Sequence, residues 1–229
     1  MTASMADLEK LYKFRFKESD LPQKARIWKT ICEVFFSRLI GRDETVLDLA
    51  CGYGEFINNI AAGKKIGVDL NPDVARFLDP EVQFINSRAD HIVLPDAAVD
   101  VVFSSNFLEH LPNKDALDAV FREVFRILKP GGRLILMGPN IRYLAGEYWD
   151  FYDHYLPLSH LSLEEGLSIS GFEVERLIGR FLPYTTRSAL PKASFLISAY
   201  LRLPIVWPLL GKQFLVVARK PAGEGGRPD

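Results

Sequence analysis

Cysteine is scarce in this 229-residue chain: only Cys32 and Cys51 occur, which excludes a disulfide scaffold and fits a reduced, cytoplasmic setting. An excess of either charge is also missing. Lys and Arg number 28 against 29 Asp and Glu, a net charge of −1, so no chain-wide field favours nucleic acid. No cysteine–histidine spacing suggests a metal centre. The opening stretch "MTASMADLEKLYKFRF" lacks the apolar centre of a signal peptide and carries acids where that signal needs bases. Long apolar runs are absent with one exception, "ASFLISAYLRLPIVWPLL" at 193–210. Arg202 near its middle would cost ~3 kcal/mol at a bilayer centre, and Pro204 and Pro208 interrupt backbone hydrogen bonding. That run is expected to cover the core, form a dimer face or lie on a membrane surface, and not to span one.

Hydrophobic residues make up 48% and charged residues 25%, the composition of an ordinary globular protein long enough for one substantial domain. A helix is expected from Pro22 to Gly41, with Ile27, Trp28, Ile31, Val34, Phe35 and Leu39 on one face. Strands and helices then alternate. "TVLDLA" (45–50), "KKIGVDL" (64–70), "VQFIN" (82–86), "VDVVFSS" (99–105) and "RLILMG" (133–138) read as strands. "EFINNIAA" and "NPDVARFL" read as short helices, and "KDALDAVFREVFRILK" (114–129) as an amphipathic one. Short apolar strands alternating with helices mean a parallel sheet covered on both faces. Beyond Asn140 come an aromatic loop, a helix in "SLEEGLSISG", a strand in "FEVERLIG" and a closing strand in "KQFLVVARK".

The informative stretch is "ETVLDLACGYGEF". A buried strand ends beside Asp48, and Gly52 and Gly54 permit a tight turn there. In open α/β sheets ligands bind at this edge. A dinucleotide fingerprint would need a third glycine where Ile57 stands, so a pyrophosphate reading is weak. Acids give a better one: Asp69 closes the second strand 21 residues after Asp48, and Asp90 follows the third strand. Three carboxylates with no lysine at the turn suit a cationic ligand carrying a nucleoside. Each acid also has a plain structural role open to it, as a cap or a surface group.

Four segments in unbroken order, "VLDLACGYGEF", "GVDLNPD", "SRADHIVLPDAAVDVVFSSNFLEHL" and "REVFRILKPGGRLIL", resemble the class I S-adenosylmethionine-dependent methyltransferases, particularly the small type 11 group. The resemblance covers about residues 44–140 and implies a Rossmann-like α/β sheet of seven mostly parallel strands, helices on both faces and an antiparallel last strand. It implies S-adenosylmethionine as cofactor. Ala50, Gly52 and Gly54 would approach its methionine part, with Asp48 reaching the ammonium group through water. Asp69 would hold the ribose, Leu70 would flank the adenine, and Asp90 would accept from the adenine amine beside Ala89. Asn106 would lie near the methionine carboxylate or the methyl group. Glu55 departs from the small residue common there.

Methyl transfer needs alignment, and a base only where the acceptor is a hydroxyl. His154 and His110 are the catalytic candidates, with His160 a third; a hydrogen-bonded loop histidine is the alternative for each. Asp153 and His154 are chain neighbours and cannot be assumed to pair. The aromatic cluster from Tyr143 to Tyr155 either lines an acceptor pocket or packs the sheet edge. The expected organisation is an N-terminal helical lid at 1–43, a methyltransferase domain at 44–219 with an apolar insertion at 180–211, and a disordered tail at 220–229. The expected reaction is O-methylation of a small-molecule or lipid-linked, saccharide-type acceptor. An aromatic or polyketide-like acceptor, or a non-catalytic cofactor-binding module, are the alternatives. No nucleic acid partner is expected, because strand four ends in "SSNFLEH" and there is no basic stripe. Peripheral membrane contact through 193–210 is possible on this reading, and oligomeric state stays open.

Overall fold

The computed structural model describes residues 21–144, 146, 148–183 and 193–222. The first twenty residues of the expected lid, part of the insertion and most of the tail lie outside the described residues. Seven strands form one sheet: β1 (Thr45–Leu49), β2 (Lys64–Asp69), β3 (Val82–Asn86), β4 (Val99–Ser105), β5 (Leu128–Pro139), β6 (Glu173–Ile178) and β7 (Gln213–Arg219). Their order is β3-β2-β1-β4-β5-β7-β6. The first five run parallel, and β7 is antiparallel to both its neighbours. The order reverses between β1 and β4, which places the ligand-binding crevice of such sheets beside the glycine turn.

Alternation along the strands fills two apolar layers. Leu47, Val102, Leu134, Leu136 and Val216 point to one face, under the helices α2 (Lys114–Ile127) and α3 (His160–Ile169). Val46, Val101, Phe103, Ile135 and Leu215 point to the other, under α1 (Leu21–Val34). Asn113 caps α2, its side chain accepting from Ala116 N at 2.9 Å. Ser159 and Ser162 form a capping box on α3, which satisfies donors that the helix start leaves orphaned.

Several local expectations need correction. Residues 55–60 form successive turns and not a helix. Asn59 Nδ2 donates to Glu55 O, a local bond that competes with helix geometry, while Asn58 Nδ2 donates across the turn to Phe77 O and Phe56 stacks on Phe103. Residues Pro72–Phe77 adopt a 3-10 helix, capped by the Asn71 side chain, which accepts from Asp73 N. Helix α3 starts at His160, so that histidine belongs to a helix and not to the preceding loop.

In the insertion, α4 (Ser194–Arg202) packs against α1, and α5 (Trp207–Leu210) closes the segment before β7. Trp207 and Tyr200, the aromatic residues of this run with a polar tip, turn inward. Trp207 is 7% exposed between Phe35 and Phe181, its indole N–H donating to Tyr200 O at 2.9 Å. The Tyr200 hydroxyl donates to Phe181 O at 2.6 Å. Among the described residues, no helix is long and apolar enough to cross a membrane.

Candidate functional site

The chain leaves β1 through a left-handed turn: Ala50, Gly52 and Gly54 have φ of 58°, 51° and 74°. A Cβ on Gly54 would lie 2.7 Å from Leu78 Cδ2 and 2.8 Å from Asn58 Nδ2, so only glycine fits. The turn is tied to β2 on both sides. Cys51 N donates to Val68 O at 3.0 Å, and Gly52 N donates to Asp69 Oδ2 at 3.0 Å. Asp69 Oδ1 accepts from Asn71 N at 2.9 Å. Asp69 thus shapes the turn as well as facing it.

Three acids crowd this edge. Asp48 is buried; burial and then the nearby Glu55 and Asp69 push its carboxyl well above the usual range, against a hydrogen bond from the Ile57 backbone. Burial likewise raises Glu55, opposed first by Lys24 of α1, whose Nζ is 4.0 Å away. Burial raises Asp69 too, opposed by backbone hydrogen bonds from Asn71 and Gly52. Buried carboxylates this close are costly without cations. A cationic ligand beside the turn relieves that cost, which fits S-adenosylmethionine with its ammonium and sulfonium groups.

The other carried-over positions line the same rim. Leu70 is about half exposed, and Ala89 packs against the core beneath. Asp90 is held by Arg88, with Nε–Oδ1 at 2.8 Å and Nη2–Oδ2 at 2.6 Å, and this guanidinium keeps its carboxyl below the usual range. The pair is solvent-exposed and therefore weak, so Asp90 shares its oxygens with Arg88 in any contact to adenine. Asn106 sits directly after β4 with φ of 51°, its backbone N–H donating to Met137 O at 3.0 Å. A non-glycine residue held in this conformation costs about 1 kcal/mol or more, which surrounding structure must offset.

Beyond Asn106 the chain makes a short 3-10 turn, Leu108–His110. His110 Nδ1 lies 3.1 Å from Asp153 Oδ2 and 3.0 Å from Asp153 O. Asp153 therefore pairs with His110 across 43 residues of sequence. Burial lowers the His110 pKa, but the Asp153 hydrogen bond and the charges of Glu109 and Asp153 outweigh it, leaving a net rise. His154 Nδ1 lies 2.7 Å from Tyr148 O, and the two imidazoles are 4.9 Å apart. Glu109 is buried; its carboxylate accepts from the Tyr148 hydroxyl, and its carbonyl accepts from Tyr155 N at 2.8 Å and Leu156 N at 3.1 Å. Sequence reasoning missed Glu109, Tyr148 and Asp153 as a set because the partners are far apart along the chain.

His110, Asp153 and His154 offer ligand-type atoms within 4.8 Å of one another. The His110 Nδ1 proton shared with Asp153 makes this arrangement suit proton transfer better than a metal ion, which would displace it. His160 is not part of the cluster: its Nδ1 lies 2.9 Å from Asn140 Nδ2, and its ring stacks on Tyr143. Burial and then Arg142 lower its pKa. The aromatic residues divide. Tyr148 is buried, whereas Tyr152 is 85% exposed and Tyr155 about half exposed.

A family model described as "Methyltransferase domain" matches residues 47–136. A probable S-adenosylmethionine-dependent methyltransferase of Mycolicibacterium smegmatis is 34% identical over 67% of this chain and 62% of its own. The ubiquinone/menaquinone biosynthesis C-methyltransferase UbiE of Escherichia coli is 28% identical over 52% of this chain and 53% of its own. The chain thus spans between half and two thirds of the curated relatives it matches. A crystal structure of a SAM-dependent methyltransferase from Archaeoglobus fulgidus superposes with a TM-score of 0.62 at 22% identity, covering 91% of this chain and 97% of the other.

Proposed function

On the premise that this chain belongs to the class I S-adenosylmethionine-dependent methyltransferases, we propose that it transfers the cofactor's methyl group to a hydroxyl of a small or lipid-linked acceptor, a saccharide among the candidates. The bound cofactor supplies an electrophilic methyl on a sulfonium, and its leaving group needs no acid. The observation that carries the reading is a trio of acids, buried Asp48 and Asp69 with half-buried Glu55, around a left-handed glycine turn. Asp48 and Glu55 attract the cationic end, Asp69 accepts from the ribose hydroxyls, and Leu70, Ala89 and Asp90 border the base. The described part of the expected lid, α1, brings Lys24 to Glu55, at the methionine end of the proposed cofactor site in the 44–219 domain.

His110 serves as the general base. Asp153 holds its Nδ1–H, which leaves Nε2 to take the acceptor's proton as oxygen attacks the methyl group. Glu109 and Tyr148 hold the 148–156 loop against the end of β4, and His154 lines the same space. Aromatic faces there suit a sugar or an aromatic ring. The likeness to UbiE supports a second reading, transfer to carbon, and an acidified quinol-like ring would need no strong base. Peripheral membrane contact through 193–210 belongs to the proposal. Isotope-labelled cofactor incubated with lipid-linked saccharides and phenols tests it. Label attached through oxygen is expected; label attached to carbon would replace the first reading with the second.

A further inference from the structure

The insertion between β6 and β7 leaves an apolar surface that the core does not use. With Trp207, Tyr200 and Leu201 turned inward, Phe195, Leu196, Leu203, Ile205, Leu209 and Leu210 remain exposed. Ile205, Leu209 and Phe195 are 82%, 74% and 72% accessible. An isolated apolar side chain on a surface is ordinary; six within one short segment are not. The charge of this stretch of sequence is one-sided. Between Glu175 and Glu224 the chain has no acid at all, while Arg180, Arg187, Lys192, Arg202 and Lys212 fall within or beside the insertion. In a chain whose acids and bases balance, an acid-free segment joining exposed apolar groups to bases complements an anionic lipid surface.

Topology places this surface next to the reaction. Ile178 at the end of β6 pairs with Leu215, and Gln213 at the start of β7 pairs with Pro139 at the end of β5. The insertion therefore leaves and re-enters the sheet at the edge that carries the glycine turn and Asn106. Arg180 ties the two together. Its Nε donates to Gly211 O at 2.8 Å and its Nη2 to Leu209 O at 3.0 Å, while its guanidinium covers the Tyr143 ring in the loop after β5.

We infer that the face formed by Phe195, Leu203, Ile205 and Leu209 docks on an anionic phospholipid bilayer, so that a lipid-tailed acceptor enters the carboxyl-edge site from the membrane. The inference rests on the lipid-linked reading of the acceptor, but vesicle binding is measured without methyl transfer, so either can fail alone. The test is co-sedimentation with vesicles of phosphatidylglycerol and phosphatidylcholine, and with phosphatidylcholine alone. Wild type is expected to pellet with the anionic vesicles, less so as salt rises. The double variant Ile205→Asp, Leu209→Asp should lose roughly tenfold or more of that partitioning. Both positions are exposed, so its melting temperature and cofactor affinity should match wild type. Wild type that stays in the supernatant overturns the inference, as does a double variant that pellets equally. A wild-type dimer that the two aspartates convert to monomer, with no vesicle binding, assigns the face to a second copy of the chain.

Discussion

The turn at 50–55 and the loop at 141–156 meet at one edge of the sheet but are built by different means. In the turn, backbone conformation and short connections do the shaping: three left-handed residues, and an Asp69 carboxylate that accepts from Gly52 and Asn71. In the loop, side chains far apart in sequence hold the geometry. Asp153 reaches His110, and Tyr148 reaches Glu109. On the proposed reading the first cradles the cofactor whatever the acceptor, and the second sets what is methylated. Cofactor binding and acceptor chemistry should therefore respond to different mutations.

The largest separation is expected at His110. His110→Ala should lower kcat about 10²–10⁴-fold if the acceptor is a hydroxyl, with cofactor affinity unchanged in a direct titration. A loss of affinity of similar size would merge the two regions into one. Asp69→Ala, on the other side, should weaken cofactor binding roughly ten- to hundredfold, from ~1–3 kcal/mol of lost hydrogen bonding. Gly54→Ala should cost ~1–3 kcal/mol of stability in denaturant unfolding, because φ of 74° and the approach to Leu78 both oppose a methyl group.

Two smaller effects concern pH. The His110 pKa is raised above its ordinary value of about 6.5. Its stabilising charge is thus fully present below that ordinary value and is lost as pH rises through the folded one. Activity runs the other way, since the base must be neutral, and should climb through the same folded pKa. Asp153→Asn removes a raising influence, so the acidic limb of the rate profile should move to lower pH; an unmoved limb would assign the titration to another group. Asp48 and Asp69 are raised by burial in the free protein, and a cationic ligand favours their charged forms. Cofactor affinity should therefore rise with pH across their titration, with proton release visible as a dependence of calorimetric heat on buffer. Absence of proton release would mean both acids are already charged.

The same contrast governs how much the sequence discloses. The succession of strands along the chain, the alternation that fills two apolar layers and the acid-tipped β1 and β2 all follow from local patterns, because each rests on period, burial or a glycine that backbone conformation demands. What escaped depended on competition or distance. The helix expected at 55–62 gave way to turns as Asn59 bonds locally to Glu55, Asn58 reaches Phe77 and Phe56 stacks on Phe103. Trp207 reads as an interfacial anchor by composition, yet Phe35 and Phe181 form a slot for it that no local pattern reveals. His154 and His110 look alike in sequence; only the fold shows that Asp153 reaches His110 across 43 residues.

The most direct test is calorimetric titration of S-adenosylmethionine into the wild-type chain and Asp69→Ala in parallel. The account predicts micromolar binding by wild type and roughly ten- to hundredfold weaker binding by the variant. Equal affinity in the two proteins, or no binding by wild type, would contradict the claim that the acid-lined turn holds the cofactor.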